Sequence, residues 1–220
     1  MTDTITVTAQ AAFVEAAMCA VSKEETRYYL RGVFIDARGF IAATNGHMAF
    51  AARCNDAFKL ADCRPAYDTA NINLPGIIVP QDAIAQAIKA AGRAKGLEME
   101  FQRDTLGQWW ILYGNARVHF APVDGSFPDW TRIIPEAPET LTAAHFQPQY
   151  IKALGDMAKA LRDGKKDAAS LFLIHQAGEG PALVTFPDGD NATRADCCAA
   201  IMPMRNRQIG GFYTSGFLAA

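Results

Sequence analysis

Four histidines, His47, His119, His145 and His175, are the first candidates for acid–base or metal chemistry. They are scattered, each in or beside a β-like run, and such a histidine is commonly a hydrogen-bonded structural residue. Five cysteines, Cys19, Cys54, Cys63, Cys197 and Cys198, could supply a nucleophile, a disulfide or a zinc site. None stands in the CxxC spacing of a zinc ribbon or redox pair, so buried or half-buried thiols are expected. Cys197 and Cys198 are adjacent, and in a strand their side chains point to opposite faces. The run FPDGDNATRAD places Asp188, Asp190 and Asn191 about Gly189, faintly like a calcium loop. It lacks the downstream bidentate glutamate and reads as a polar turn. There is no P-loop, no GxSxG and no HExxH. No metal, cofactor or catalytic residue is therefore expected.

Charge points elsewhere. The 220 residues carry 21 Lys+Arg against 23 Asp+Glu, a formal net charge of −2. That excludes a wholly basic nucleic-acid binder but leaves room for a local basic patch. No apolar run approaches the ~20 residues of a membrane span. The opening MTDTITVTAQ lacks the basic and apolar regions of a signal peptide. A cytoplasmic location is the expectation.

The elements that must position any site follow one plan: a short strand, a helix, then strands. TITVTAQ leads into AAFVEAAMCAV, where Phe13, Ala16, Ala17, Ala20 and Val21 form one helical stripe. RYYLRGVFIDARG and FIAATNGHMAFAARC follow as β-like runs. Residues 54–75 are polar and proline-punctuated, and read as a loop. GIIVP then opens a second unit, with Pro80 at a permissible helix start. Its helix is QDAIAQAIKAAGRAKG, and LEMEFQR, QWWILYG and ARVHFAP are its strands. After the connector VDGSFPDWTRIIPEAPE, a third unit begins at LTAAHF. It continues through the helix QYIKALGDMAKALRDG to ASLFLIHQ, PALVTF and DCCAAIMPMR. The repeat is one of pattern, without sequence identity between units.

Three segments stand out. Thr26–Gly32 joins two tyrosines to flanking arginines, and Ala43–Ala51 contains an Asn-Gly turn signal. Gly125–Pro135 is answered far along the chain by Ile201–Arg205, where Met-Pro-Met must end a strand, because proline cannot donate to a ladder. Flanking methionines offer soft apolar surface for peptides, or simply pack in a core.

These segments resemble the β sliding clamp of bacterial DNA polymerase III. In that family the middle domain carries a version of RYYLxG, then ATDGHR, then FPDYRRVxP, and the chain ends in MPMR. The matching stretches are Arg27–Gly32, Ala43–His47, Phe127–Pro135 and Met202–Arg205, in the same order. Met48 stands where the family commonly has arginine. The chain continues for 15 residues past Arg205, where family members usually stop. The resemblance implies an α+β DNA-clamp fold, with antiparallel sheets outside and helices inside. It implies a whole clamp-like domain over residues 1–127, like the family's middle domain, and a connector over 128–138. A half domain follows over 139–205, with a tail over 206–220. The chain so reads as a shortened clamp relative.

The family's peptide pocket maps onto Leu30, Thr44, Gly46, His47, Pro128, Arg132, Ile133, Met202, Pro203, Met204 and Arg205. Leu30, Ile133, Met202 and Met204 suit a trough for an apolar anchor. Arg132 and Arg205 suit its rim. The same residues would also serve to cement the junction between units. Helices that line the family's ring meet DNA phosphates. Here the second helix is expected to carry Lys89, Arg93 and Lys95, with Lys89 and Arg93 one turn apart, and the third Lys152, Lys159 and Arg162; these would equally suit solvated helix faces. Arg27, Tyr28 and Tyr29 match positions near DNA.

The resemblance thus implies a polymerase processivity factor without catalysis. It would hold double-stranded DNA irrespective of sequence, and bind polymerase, clamp loader or repair proteins through short peptides. The alternative is an interaction protein or decoy that takes such peptides without encircling DNA. A ring of twelve modules from three-module chains implies a homotetramer, with a dimer as the alternative. Gln208–Phe212 in the tail loosely resembles the peptides that clamps bind.

Overall fold

A computed structural model describes residues 5–36, 38–54, 76–93, 96–138, 144–162, 171–176, 178–188 and 192–204. The first unit runs β1 (Ile5–Gln10), α1 (Ala11–Met18), β2 (Gly32–Asp36), β3 (Phe40–Thr44) and β4 (Met48–Arg53). The second runs β5 (Gly76–Pro80), α2 (Gln81–Ala91), β6 (Glu98–Arg103), β7 (Trp109–Tyr113) and β8 (Ala116–Phe120). The third contains α3 (Pro148–Ala160), β9 (Leu173–His175), β10 (Ala182–Thr185), a small hairpin of β11 (Pro187–Asp188) with β12 (Ala192–Thr193), and β13 (Cys197–Ile201). No described helix is long and apolar enough to cross a membrane.

The first two units exchange their leading strands. β1 pairs antiparallel with β6, in a four-stranded sheet ordered β1-β6-β7-β8. β5 pairs antiparallel with β2 of the first unit. That sheet then runs on without a break: β5-β2-β3-β4-β13-β10-β9, seven strands. The third unit therefore joins the first, with β13 beside β4 over five residue pairs from Cys197↔Ala52 to Ile201↔Met48.

Alternation assigns the two faces of the long sheet. Val33, Ile35, Ile41, Ala43 and Phe50 point inward and share a core with Phe13 of α1, Ile84 of α2, and Leu154 and Met157 of α3. The outward set, Phe34, Ala42, Ala51 and Ile78, is equally buried, because the connector lies across it. Phe127 stacks on Phe34, with ring centroids 4.8 Å apart. Trp130 packs on Phe40 at 5.3 Å. Burial of Phe127 and Trp130 contributes roughly 1.5–3 kcal/mol each.

Several local expectations differ from the structure. The segment opening with Tyr28 and Tyr29 is not a strand but a 3-10 turn over Glu25–Leu30, kinked at Arg27. Of its residues only Leu30 is buried, so the alternating burial that sustains a strand is missing. The first helix ends at Met18 rather than Val21, though Ala20 and Val21 stay buried. The second helix stops at Ala91, because Gly92 takes φ 55°. Residues 55–75 and 139–143 lie outside the described residues, and with them half of LTAAHF; Ala144–Phe146 form no strand.

A buried carboxylate ties the connector down. Asp36, at the end of β2, is fully buried. Its Oδ2 accepts the Trp130 indole N–H at 3.0 Å, and its Oδ1 accepts the Arg38 backbone N–H at 2.8 Å. The Arg38 guanidinium pairs with the same carboxylate and lies 5.5 Å from the Trp130 ring centroid. Trp130→Phe keeps the ring but removes the donor to a charged group. It should cost about 1–3 kcal/mol in urea unfolding. Arg38→Ala should cost more, since it strips the counter-charge from a buried anion.

Candidate functional site

Strand register brings distant segments to one end of the seven-stranded sheet. β3 ends at Thr44, β4 begins at Met48 and β13 ends at Ile201, paired with Met48. The turn between β3 and β4 therefore sits beside the residues that follow β13. The Met202 N–H donates to the His47 carbonyl at 2.8 Å, and the Met204 N–H to the His145 carbonyl at 2.7 Å. Pro203 falls just past the strand end, where no ladder bond is lost.

The turn is held by its own side chains. Thr44, buried, donates its hydroxyl to the Met48 carbonyl at 2.8 Å and accepts the Gly46 N–H at 3.1 Å. Asn45 Oδ1 accepts the N–H groups of His47 and Met48 at 2.9 and 3.0 Å. Gly46 takes φ 87°, and a Cβ there would lie 2.6 Å from Arg27 Nη1. His47 is exposed and stacks on Tyr150 of α3, with centroids 5.5 Å apart. Met48 is buried in the core beneath.

Apolar surface remains at this corner. Met202 is 37% and Met204 50% exposed, although both are large hydrophobic side chains. Exposed methionines at a strand end suit an adaptable apolar contact. Leu30 and Ile134 belong to the connector-side cluster with Phe127 and Trp130, while Pro128 and Ile133 are half-buried. Arg132 is exposed and pairs with Asp129 at 3.3 Å. Arg205, Gln208–Phe212 and the rest of the tail lie outside the described residues.

The residues expected near DNA divide between two places. α3 carries Lys152 and Lys159, which both bond to Asp156, at 2.6 and 3.1 Å. The Asp156 bond holds the Lys152 ammonium above its ordinary range. The two lysines hold the Asp156 carboxyl below its own. Lys89 is exposed in the last turn of α2; Arg93 lies beyond the helix end rather than one helical turn along from Lys89. Lys95 falls outside the described residues, and Arg162 follows the end of α3. Tyr29, by contrast, packs on the connector-side cluster, on the opposite face of the sheet from the helices. Tyr28 is exposed and meets Tyr29 edge to face at 5.7 Å. Arg27 pairs with Glu24 at 3.2 Å while its guanidinium reaches Gly46.

Sequence reasoning missed three contributors to this corner: Arg27 as a neighbour of the turn, Asn45 as its clasp, and Tyr150 beneath His47. Asn-Gly announces the turn, but nothing local announces the other two. The four described thiols are quiet; Cys63 lies outside the described residues. Burial pushes Cys54 and Cys197 up to about 12, and Cys19 and Cys198 to about 11, so all four stay protonated at neutral pH.

No protein-family model matches the chain. A beta sliding clamp from Caulobacter vibrioides is 31% identical over 119 residues, 53% of this chain and 30% of the relative. One from Rickettsia bellii is 27% identical over 139 residues, 57% of this chain and 31% of the relative. The matched stretch thus spans about a third of each relative. Among solved structures, a DNA polymerase sliding clamp from Pseudomonas aeruginosa gives a TM-score of 0.59 at 16% identity, over 92% of this chain and 67% of that one. A DnaN sliding clamp from Bartonella birtlesii bound to griselimycin gives 0.58 at 17% identity, over 92% and 66%. The chain has the α+β sliding-clamp fold and is clamp-like in sequence over about half its length.

Gly46→Ala tests the turn. A left-handed residue with a Cβ costs about 1–2 kcal/mol, and Arg27 must also swing aside. Thermal unfolding should register that loss, with Asn45→Ala also destabilising.

Proposed function

We propose that the chain is a sliding-clamp-like processivity factor, non-catalytic and cytoplasmic, that holds duplex DNA without sequence preference. It binds short peptides of polymerase, clamp-loader or repair proteins at the corner formed by the β3–β4 turn and Met202–Met204. The observation that supports this best is that juxtaposition. Segments separated by some 150 residues of sequence, each clamp-like in motif, meet at one sheet end with two methionines exposed. Leu30, Thr44, Gly46, His47, Pro128, Ile133, Met202, Pro203 and Met204 are the peptide residues in this reading, with Arg132 and Arg205 at the rim. Residues 1–127 act as a complete clamp-like domain and 139–205 as half of one, joined by 128–138. Four chains then supply the twelve modules of a ring, with third units completing one another's domains.

A fluorescent Gln-Leu-x-Leu-Phe peptide should bind with micromolar affinity. Met204→Ala with Arg132→Ala should weaken it by about 10-fold or more, as loss of a central anchor costs about 1–2 kcal/mol. No binding by the wild-type chain at high micromolar concentration would remove the pocket assignment.

Lys89, Arg93, Lys95, Lys152, Lys159 and Arg162 supply the phosphate contacts, with Arg27, Tyr28 and Tyr29 at the approach. Such binding releases counterions, so duplex affinity should fall steeply with salt and be indifferent to sequence. Reversing Lys89, Arg93, Lys152 and Lys159 to glutamate should abolish it in an anisotropy titration, with the circular dichroism spectrum unchanged. Undiminished affinity in that variant would favour a peptide-binding protein that encircles nothing.

A further inference from the structure

The chain contains one seam and the beginning of another. At the first, β4 and β13, the last strands of their units, pair antiparallel, and α1 packs against α3 beneath them. β8 is the last strand of the second unit, and it closes one side of the four-stranded sheet. Among the described residues it has no partner beyond β7.

The hairpins that end in β4 and β8 are the same device. Gly46 and Gly114 occupy the same turn position, with φ 87° and 57°. Counting from these turns, Ala49 and Ala51 correspond to Arg117 and His119. In the β3–β4 hairpin, Asn45 and Met48 flank the turn and share a backbone bond, so His47, Ala49, Ala51 and Arg53 turn their backbone groups away from β3. These are the groups the seam uses. His47 and Arg53 show it at its two ends, through bonds with Met202 and Asp196 at 2.8 Å each. In the β7–β8 hairpin, Tyr113 and Ala116 flank a two-residue turn. The same alternation leaves the N–H and C=O groups of Arg117 and His119 facing the open edge.

We propose that β8 pairs antiparallel with β8 of a second copy of this chain, across a two-fold axis at Val118. The full-overlap register sets Ala116 against the partner's Phe120, Arg117 against the partner's His119, and Val118 against the partner's Val118. That gives five residue pairs, as many as join β4 to β13. An isologous pairing of this kind is closed and uses one patch twice. It satisfies an edge that is otherwise a template for uncontrolled association. The outer face suits it: Arg117 lies 4.2 Å over the Trp110 ring, and the Trp110 indole N–H is held by Asp104 at 2.9 Å. The positive charge at the edge is thus drawn back over the sheet. This contact is separate from any association through the third unit and does not depend on the peptide or DNA reading.

In the proposed register the two Val118 residues form a non-hydrogen-bonded pair, with Cα atoms at about 4.5 Å, close enough for a disulfide. Val118→Cys under mild oxidation should give a disulfide-linked dimer mapped by peptide mass spectrometry to position 118, whereas the wild-type chain gives none. His119→Pro removes one outward N–H without breaking the β7–β8 ladder. Added to Val118→Cys, it should reduce cross-linking by at least about 10-fold while the circular dichroism spectrum is retained. A folded Val118→Cys protein that does not cross-link at high concentration overturns the proposal. So does cross-linking that His119→Pro leaves undiminished. Peptide and DNA titrations on these variants read the functional assignment independently.

Discussion

The candidate site exists because β4 and β13 pair. Those strands lie about 145 residues apart in sequence, and each brings one half of the corner: His47 at the start of β4, Met202 and Met204 at the end of β13. The bond from Met202 N–H to the His47 carbonyl continues the ladder past the last strand residue. The relative height of the turn and the methionines is therefore set by sheet register. A slip of one residue would turn the outward face of β13 inward. It would set Cys198 and Ala200 on the inner, core face in place of Cys197 and Ala199. Packing beneath the seam opposes that slip. Phe50 of β4 meets Phe186 edge to face at 6.2 Å, and Leu154 and Met157 of α3 fill the space below.

The connector depends on a different kind of interaction. A fully buried Asp36 is expensive unless every lone pair is used. It is used by the Trp130 indole, the Arg38 amide and the Arg38 guanidinium. Because an indole N–H has one direction, this bond fixes where Trp130 lies and hence where Phe127 meets Phe34. The outer face of β5, β2, β3 and β4 beneath the connector is dry for that reason. Such a carboxylate contributes less to net stability than to the uniqueness of the connector path, since a good apolar substitute would hold an apolar face equally well.

Much of this was legible in the sequence, for identifiable reasons. Asn-Gly gave the β3–β4 turn, Pro203 marked the end of β13, and helical spacing located all three helices. The four clamp-like motifs announced the fold. The partners of the strands were not legible. Alternation of polar and apolar residues states that a segment is a strand but not which strand it adjoins, so neither the β1–β5 exchange nor the β4–β13 seam could be read. The near-uniform burial of β2 and β3 was likewise hidden, because the covering connector carries no periodicity. Helix ends were misread where the apolar pattern outlasts the helix. Ala20 and Val21 are buried without being helical, and Arg93 follows a glycine that has already turned the chain.

The exchange of leading strands also governs the order in which the molecule can be assembled during synthesis. Val7 of β1 pairs with Phe101 of β6, 94 positions later. At about 5–20 residues per second, a ribosome delivers that partner roughly 5–20 s after β1 has emerged. For most of that interval the first unit lacks β5, its own edge, and throughout it β1 has no lodging. Neither unit can close its sheet alone, so the two must fold as one cooperative body of high contact order. During synthesis β1 stays an unpaired strand until β6 follows, and it is protected from edge-to-edge association only when the second unit is complete.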